Sequence, residues 1–473
     1  MICLSGIFIR CLQTTAHPTE EEMMSIYTRV ASSLLFPIHE KLKGHGTVAL
    51  HRQLELSQWW APEALRRHRV ERLRAFLVLI GTTVPYYRKL FSERNFDPAS
   101  VDSLEALSAL PLLTKSDIRG NTEEMKADGH GHLSRYNTGG SSGEPLIFYM
   151  GKARKSHDVA AKWRATRWWG VDIGDPELVV WGSPIELGAQ DRVRLLRDKL
   201  MRSRLLPAFE MSPENLDRFV QTIQEIRPAM LFGYPSSLSL IAEHARKKGI
   251  AMNGLGIRVA FVTSERLYDE QRTTIEDVFG CPVANGYGAR DAGFIAHQCP
   301  AGSMHISAED IIVETIRPDG TPSAPGEAGE IVITHLATHE FPFVRYRTGD
   351  VGMLSDESCA CGRGLQVLKE IQGRTTDFVV AKDGTIMHGL ALIYTVRDQP
   401  GVERFKIVQE SLDRTEVQLV VNSAFKIDSE VRIVADFKAR LGRDVDVSVR
   451  HVDEIPPEQS GKFRYVTSSV VLR

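Results

Sequence analysis

The sequence predicts an α/β protein: a large N-terminal domain of helix-flanked β-sheets followed by a small α+β C-terminal domain. Three observations predict it. Short β-rich runs alternate with helically spaced segments from about residue 136, paired strands replace that pattern at 305–335, and alternation resumes past Gly373. A chain of 473 residues also exceeds the size that one core comfortably fills. The expected division is an N-terminal extension over 1–30 with little structure, a large domain over 31–373 and a small domain over 374–473.

Residues 55–95 have helical periodicity. Leu65, Val70, Leu73, Phe76, Leu77 and Ile80 recur at three- and four-residue steps with Arg and His between them. The Pro and Ser residues around Phe96–Leu110 read as a loop with a short helix. Leu178–Trp181, Ala229–Phe232, Arg258–Val262 and Pro282–Ala284 are strand-like, whereas Asn215–Glu225 and Ser236–Lys248 have helical spacing. Such alternation favours a largely parallel sheet. Ile311–Thr315 and Glu330–Thr334 flank a Pro/Gly turn and predict an antiparallel hairpin. The last strand expected is Asp444–Val452.

Composition excludes several classes. Hydrophobic residues make up 42% and charged residues 25%, ordinary globular values. The formal net charge is −2, with no basic arm for nucleic acid. No stretch approaches the roughly 18–20 apolar residues of a membrane span. Six cysteines are too few for a disulfide scaffold, so a soluble cytoplasmic protein is expected. Residues 1–12 lack a basic leader region and are interrupted by Arg10, which argues against a signal peptide. Met23 and Met24 are equally good starts.

Five motifs carry chemistry. In Tyr136-Asn137-Thr138-Gly139-Gly140-Ser141-Ser142-Gly143 the glycines let backbone N–H groups converge on an anion, and three hydroxyls add donors. It is no Walker loop, for no Gly-Lys-Ser/Thr follows; a plain Gly/Ser surface loop has the same composition. Asn285-Gly286-Tyr287-Gly288-Ala289-Arg290-Asp291 follows a predicted strand, where open α/β sheets place ligands. Tyr287 can offer its ring to a flat base, and Asp291 can take Mg²⁺. Tyr346-Arg347-Thr348-Gly349-Asp350 reads as a turn between strands whose carboxylate can accept from a ribose diol. Gly373-Arg374-Thr375-Thr376-Asp377 stands at the expected boundary, and Ser460-Gly461-Lys462-Phe463-Arg464 near the C-terminus. Cys299-x₅-His305 and Cys359-x-Cys361 form a Cys₃His set that suits structural Zn²⁺, or are free thiols beside an incidental histidine.

In this order and spacing, the five motifs resemble those of the adenylate-forming superfamily of acyl-CoA synthetases. The similarity is nearer to its phenylacetate–CoA ligase and CapK-like branch. Leu110–Arg119, Phe232–Leu238, Cys359–Arg363 and Phe405–Gln409 add to the likeness, which spans roughly residues 80–473. It implies the adenylate-forming ligase fold with a mobile C-terminal domain. It also implies a reaction in which a small carboxylic acid and Mg·ATP give acyl-AMP and pyrophosphate before the acyl group passes to a thiol, usually coenzyme A.

By this resemblance, Thr138, Ser141, Ser142 and Gly143 would hold phosphates. Gly286, Tyr287 and Gly288 would receive adenine, Asp291 would bind Mg²⁺ and Asp350 the ribose. Arg374 would touch the nucleotide from the hinge, and Lys462 would bridge the carboxylate and α-phosphate. Trp181, Tyr234, Ser264 and Glu265 fall in segments that line the acid site in relatives, although core packing explains the two aromatic residues equally well. The segments near 300 and 360 should adjoin, so Zn²⁺ would be held by Cys299, His305, Cys359 and Cys361.

The chain departs from the family pattern in several places. Leu146 stands where many members have lysine, Asp291 replaces the commoner glutamate, Arg290 a hydroxyl residue, and Thr376 an often acidic one. An acceptor amine, hydroxyl or carrier protein is the alternative to coenzyme A, and a non-catalytic nucleotide binder the third reading. The sequence leaves the oligomeric state open, a homodimer included.

Overall fold

The computed structural model describes residues 26–138, 146–181, 192–208, 211–265, 267–317, 319–371, 378–455 and 465–470. A hairpin of β1 (Ser134–Asn137) and β2 (Ile147–Met150) precedes the helix Lys152–Arg167. Next come β3 (Glu177–Trp181), β4 (Ser203–Pro207), β5 (Met230–Gly233), β6 (Val259–Thr263) and β7 (Val283–Ala289). Helices Pro213–Ile226, Pro235–Lys247 and Asp269–Phe279 make the crossovers among the last four. The chain continues through β8 (Gly293–Gln298), β9 (Met304–Ile306), β10 (Ile311–Ile316), β11 (Ala328–His335), β12 (Phe343–Ser355) and β13 (Val367–Ile371).

These strands, from β3 to β13, form one eleven-stranded sheet of order β10-β11-β12-β13-β9-β8-β7-β6-β5-β3-β4. Its β4–β3–β5–β6–β7 part is parallel, and every pairing beyond β7 is antiparallel. β5 and β6 are buried along their whole length, which is why they read as unbroken apolar runs. The antiparallel hairpin β10–β11 pairs Ile311 with His335 and Ile316 with Glu330, as the turn residues between them predict.

The C-terminal part opens with the hairpin β14 (Phe378–Val380) and β15 (Ile386–His388) and the helix Leu390–Arg397. β16 (Val402–Ser411), β17 (Arg414–Val421), β18 (Asp446–His451) and β19 (Val466–Ser468) form a separate sheet of order β18-β17-β16-β19. The helix Ile427–Leu441 makes the parallel crossover from β17 to β18, burying Ile433, Phe437 and Leu441. This is an α+β unit with its own core around Val379, Leu392, Ile407, Val417 and Leu419.

Several expectations change. The helical face over 55–95 becomes Pro62–Thr83 and Pro85–Glu93, and it buries Arg69, not Val70. Arg69 donates to Gln366 Oε1 at 3.3 Å, and burial pulls its pKa down to about 10. The extension expected over 1–30 overlaps a helix, Ile26–Val30, fixed by the Thr28 hydroxyl donating to Asp175 at 2.8 Å. Asn285–Ala289 continues β7 and is not a loop. Tyr346–Asp350 lies inside the 13-residue β12 and is not a turn. Asp444–Val452 is not the last strand, since β19 follows and pairs parallel with β16. The expected boundary at 373–374 lies outside the described residues.

Candidate active site

Open α/β sheets present ligands at the carboxyl ends of their parallel strands, because loops leave there and chemistry can be added without disturbing the core. Here Trp181 ends β3, Tyr234 follows β5, Ser264 and Glu265 follow β6, and Tyr287 lies near the end of β7. Tyr287 is also where the parallel half of the sheet gives way to the antiparallel half.

The tip between β7 and β8 carries Arg290 and Asp291. A hairpin tip is usually exposed, yet Asp291 and Ala292 are buried. Three contacts hold it. The Arg290 guanidinium donates to the Asn137 carbonyl at 3.3 Å, which joins the tip to the strand leading into the Gly/Ser segment. Arg154, 2% exposed, donates to the carbonyls of Asp291 at 3.1 Å and Arg290 at 3.3 Å. Tyr346 is fully buried and donates its hydroxyl to Asp291 Oδ2.

Asp350 reaches the same place through a bulge. Between the pairs Val332–Arg347 and Glu330–Val351, β12 advances four residues while β11 advances two. Gly349 takes φ 77° there, a conformation that suits a residue without Cβ. The Tyr287 hydroxyl then donates to Asp350 Oδ2 at 3.0 Å. Segments around 137, 287–291 and 346–350, distant in sequence, therefore meet through side chains.

Thr138 closes the base of the first motif: its N–H donates to the Leu146 carbonyl at 3.0 Å, and its hydroxyl accepts from the Leu146 N–H at 2.9 Å. Ser141, Ser142, Gly143, Arg374 and Lys462 lie outside the described residues. Near the acid segments, Trp181 stacks on Tyr234 with ring centroids 4.4 Å apart and planes at 22°. Tyr234 is buried in the core and Trp181 packs half-buried against it. Ser264 has φ 74°, a strained value for a side-chain-bearing residue, and it marks the end of β6.

One residue that contacts the site had no sequence signal. Arg154 is one arginine among several in a polar helix; only the fold brings it to residues 290 and 291. The Leu110–Arg119 segment has a structural explanation instead. Leu113 exchanges backbone hydrogen bonds with Arg345 and Arg347, flanking Tyr346, and Thr114 and Asp117 then form a capping box on the next helix.

A second cluster is separate in chemistry. The ligand atoms of Cys299, His305, Cys359 and Cys361 all lie within 4.8 Å of one another. Cys299 Sγ is 3.6 Å from Cys359 Sγ, and Cys361 Sγ is 3.2 Å from His305 Nε2. His305 Nδ1 faces the Leu365 carbonyl at 3.2 Å, which turns Nε2 toward the sulfurs. Burial, with Arg363 and Arg164 nearby, pulls the His305 pKa down to about 4, so the ring is neutral at pH 7. Burial pushes the Cys299 thiol up to about 12. It also pushes Cys359 upward, but hydrogen bonds from Ser303 and Cys361 outweigh it and bring that thiol to about 7.

Comparison with known proteins identifies the fold. Residues 379–469 match the CapK C-terminal domain. The chain is 24% identical over 404 residues to Protein CapK of Staphylococcus aureus, across 85% of this chain and 88% of that one. It is 25% identical over 438 residues to the phenylacetate-coenzyme A ligase of Thermus thermophilus, across 85% and 96%. Among solved structures, 2-hydroxyisobutyryl-CoA ligase in complex with 2-HIB-AMP and CoA superposes with a TM-score of 0.61 at 21% identity, across 87% and 91%. The same ligase in its postadenylation state gives 0.57 at 19%, across 87% and 91%. The chain thus has the adenylate-forming ligase fold, and its resemblance to the phenylacetate–CoA ligase and CapK-like branch covers most of its length.

Proposed function

We propose that this chain is an AMP-forming acid–thiol ligase: it activates a carboxylic acid with Mg·ATP and passes the acyl group to a thiol, most directly coenzyme A. One observation carries the reading. Two side-chain hydrogen bonds, Tyr287 to Asp350 and Tyr346 to Asp291, join β12 to the carboxyl end of the parallel strand β7, with the base of the Gly/Ser segment attached through Arg290. The relatives named phenylacetate-coenzyme A ligase, and the similar fold that holds an acyl-AMP with CoA, support it.

In the first half-reaction a carboxylate oxygen bonds to the α-phosphorus of ATP, and the bond from that phosphorus to pyrophosphate breaks. The thiol sulfur then bonds to the acyl carbon, AMP leaves with the electron pair, and the thiol proton goes to solvent. In this proposal Tyr287, between Gly286 and Gly288, stacks on adenine, and Asp350 accepts from the ribose hydroxyls. Thr138 with Ser141, Ser142 and Gly143 receives the phosphates. Arg374 contacts the nucleotide from the hinge, and Lys462 neutralises the approach of carboxylate to α-phosphate. The domain carrying Lys462, over 374–473, moves between half-reactions. Trp181 and Tyr234 wall an acid site that suits a flat acyl group, with Ser264 and Glu265 at its edge.

Asp291 is the residue that would hold Mg²⁺. Its carboxylate is a hard oxygen donor, and Tyr346 occupies one of its two oxygens. Bound Mg²⁺ would offset charge on the phosphates. For Cys299, His305, Cys359 and Cys361 we propose structural Zn²⁺. Bonds of about 2.3 Å to sulfur in a tetrahedron put sulfurs about 3.8 Å apart, close to the 3.6 Å found. Four protein ligands leave no position for water. The site's cosubstrates suit the cytoplasm.

An amine, hydroxyl or carrier-protein thiol is the alternative acceptor, and the relatives named phenylacetate-coenzyme A ligase support coenzyme A over it. Pyrophosphate exchange across a panel of aromatic and aliphatic acids tests the first half-reaction, and a mass scan for the thioester after adding coenzyme A tests the second. Lys462→Ala is expected to lower exchange by a factor of 100 or more, as an order of magnitude for a lost transition-state charge contact, with ATP binding retained. Exchange that survives the substitution refutes the role of Lys462. Silence across the panel, with ATP still bound, favours a binding-only protein.

A further inference from the structure

Hairpin tips are commonly the loosest part of a sheet, but this one is gripped from beneath. Arg154 projects from the helix Lys152–Arg167, and its Nη1 and Nη2 reach the carbonyls of Asp291 and Arg290, at 3.1 and 3.3 Å. Its Nε lies 2.9 and 3.0 Å from the two oxygens of Asp158, one helical turn further on. Burial works against the Asp158 charge, yet Arg154 and His157 hold its pKa below the usual carboxylate range. The guanidinium is therefore fixed at one end and spans two carbonyls at the other. No lysine has that fork.

The space around the fork is closed. Gly293, with φ 96°, begins β8 directly beneath it. A Cβ at that position would lie 3.0 Å from Arg154 Nη2 and 2.9 Å from His335 Nε2. Tyr346 then takes the remaining freedom of the tip, because its hydroxyl donates to the Asp291 carboxylate itself. Backbone and side chain of one residue are held by two groups that come from different elements.

We infer that Arg154 and Tyr346 are positioning residues that hold the Asp291 carboxylate where a nucleotide-bound divalent cation can use it. The inference rests on the proposed nucleotide site. Mg²⁺ tolerates little error in ligand placement, since it requires near-octahedral geometry at about 2.0–2.1 Å. A side chain as short as aspartate has few torsions with which to correct a displaced backbone. The tip must come pre-set.

The experiment is equilibrium binding of ATP by calorimetry, with Mg²⁺ and with EDTA, for wild type, Arg154→Lys and Tyr346→Phe, beside circular dichroism and a melting curve. Wild type should bind ATP more tightly with Mg²⁺. Arg154→Lys should bind metal-free ATP unchanged and lose about tenfold of the strengthening by Mg²⁺, as an order of magnitude for displacing one charged ligand. Tyr346→Phe removes one oxygen atom and should lose several-fold, which keeps the inference testable if Arg154→Lys does not fold. In exchange assays the half-saturating Mg²⁺ concentration should rise in step, while the rate at saturating Mg²⁺ falls less. A merely structural role would lower the melting temperature and leave the Mg²⁺ ratio alone. If the folded variants keep the full Mg²⁺ effect, the positioning role is wrong and the function stands. A wild type that binds no ATP, with or without metal, overturns the proposed function and this inference with it.

Discussion

The Asp291 region and the Cys–His cluster are both built from groups distant in sequence, but they solve the problem of burying them in opposite ways. Around Asp291, donors meet acceptors: Arg154 with carbonyls and Asp158, Tyr346 with the carboxylate, Tyr287 with Asp350. Each of these polar groups has a partner within the protein itself. In the Cys–His cluster, three sulfurs and an imidazole nitrogen crowd together with little to donate to one another. Weak donors packed this closely gain little from their own contacts, whereas a shared cation would satisfy all four at once. In the proposed function the hard network would hold geometry for a ligand, and the soft one would be held by its ion.

The largest expected effect breaks the soft side of this contrast. The cluster sits against the N-terminal helices. Arg363 lies between Trp59 and Trp168, 4.6 and 4.5 Å from their ring centroids, and its Nε and the Trp168 Nε1 both donate to Gln58 Oε1. Cys359→Ser is expected to remove one equivalent of zinc by elemental analysis and to lower the melting temperature by roughly 5–10 °C. EDTA treatment of the wild type should do the same. A metal-free wild type that melts as high as any preparation would refute the zinc assignment.

Asp350→Asn probes the hard side and should act differently. The amide keeps the shape and can still accept from Tyr287, so the fold should survive. A ribose contact to a charged acceptor is worth about 1.5–3 kcal/mol, so the KM for ATP in exchange assays should rise at least tenfold. The melting temperature of the free protein should move little. A large stability loss with an unchanged KM would reassign Asp350 to the scaffold.

How much of this was legible in the sequence differs between the two regions for physical reasons. β3, β5 and β6 announce themselves because parallel strands buried on both faces leave unbroken apolar runs. The Cys₃His set was legible as a ligand type, and only the pairing of β9 with β13 brings the two halves together. β12 was hidden because its Thr348-Gly349-Asp350 segment has turn composition, and the bulge satisfies that preference inside a strand. β19 was hidden by its three-residue length. Arg69 was passed over for Val70 because a buried arginine follows no hydrophobic period; it needs Gln366, 297 residues away, to be tolerable. Arg154 is the same case: it needs Asp158 and the carbonyls of residues 290 and 291.

The smallest expected effect sharpens the contrast by pH. His335 lies fully buried against His157, ring centroids 4.7 Å apart, and beside the guanidinium of Arg154. Burial first, then Arg154 and His157, drive its pKa well below the ordinary histidine value. The sign follows: the unfolded chain takes up this proton near pH 6.5 and the folded one does not. The stability due to neutral His335 is therefore present above about 6.5 and is lost as the pH falls below it, at no more than about 1.4 kcal/mol per pH unit. The Ala337 N–H donates to His335 Nδ1 at 3.3 Å, and His335→Asn keeps an acceptor in that region while removing the titration. Urea melts at pH 7 and pH 5 should show wild type losing more stability than the variant, with the two nearer at pH 5. Equal losses would mean that His335 does not account for the loss of stability at low pH.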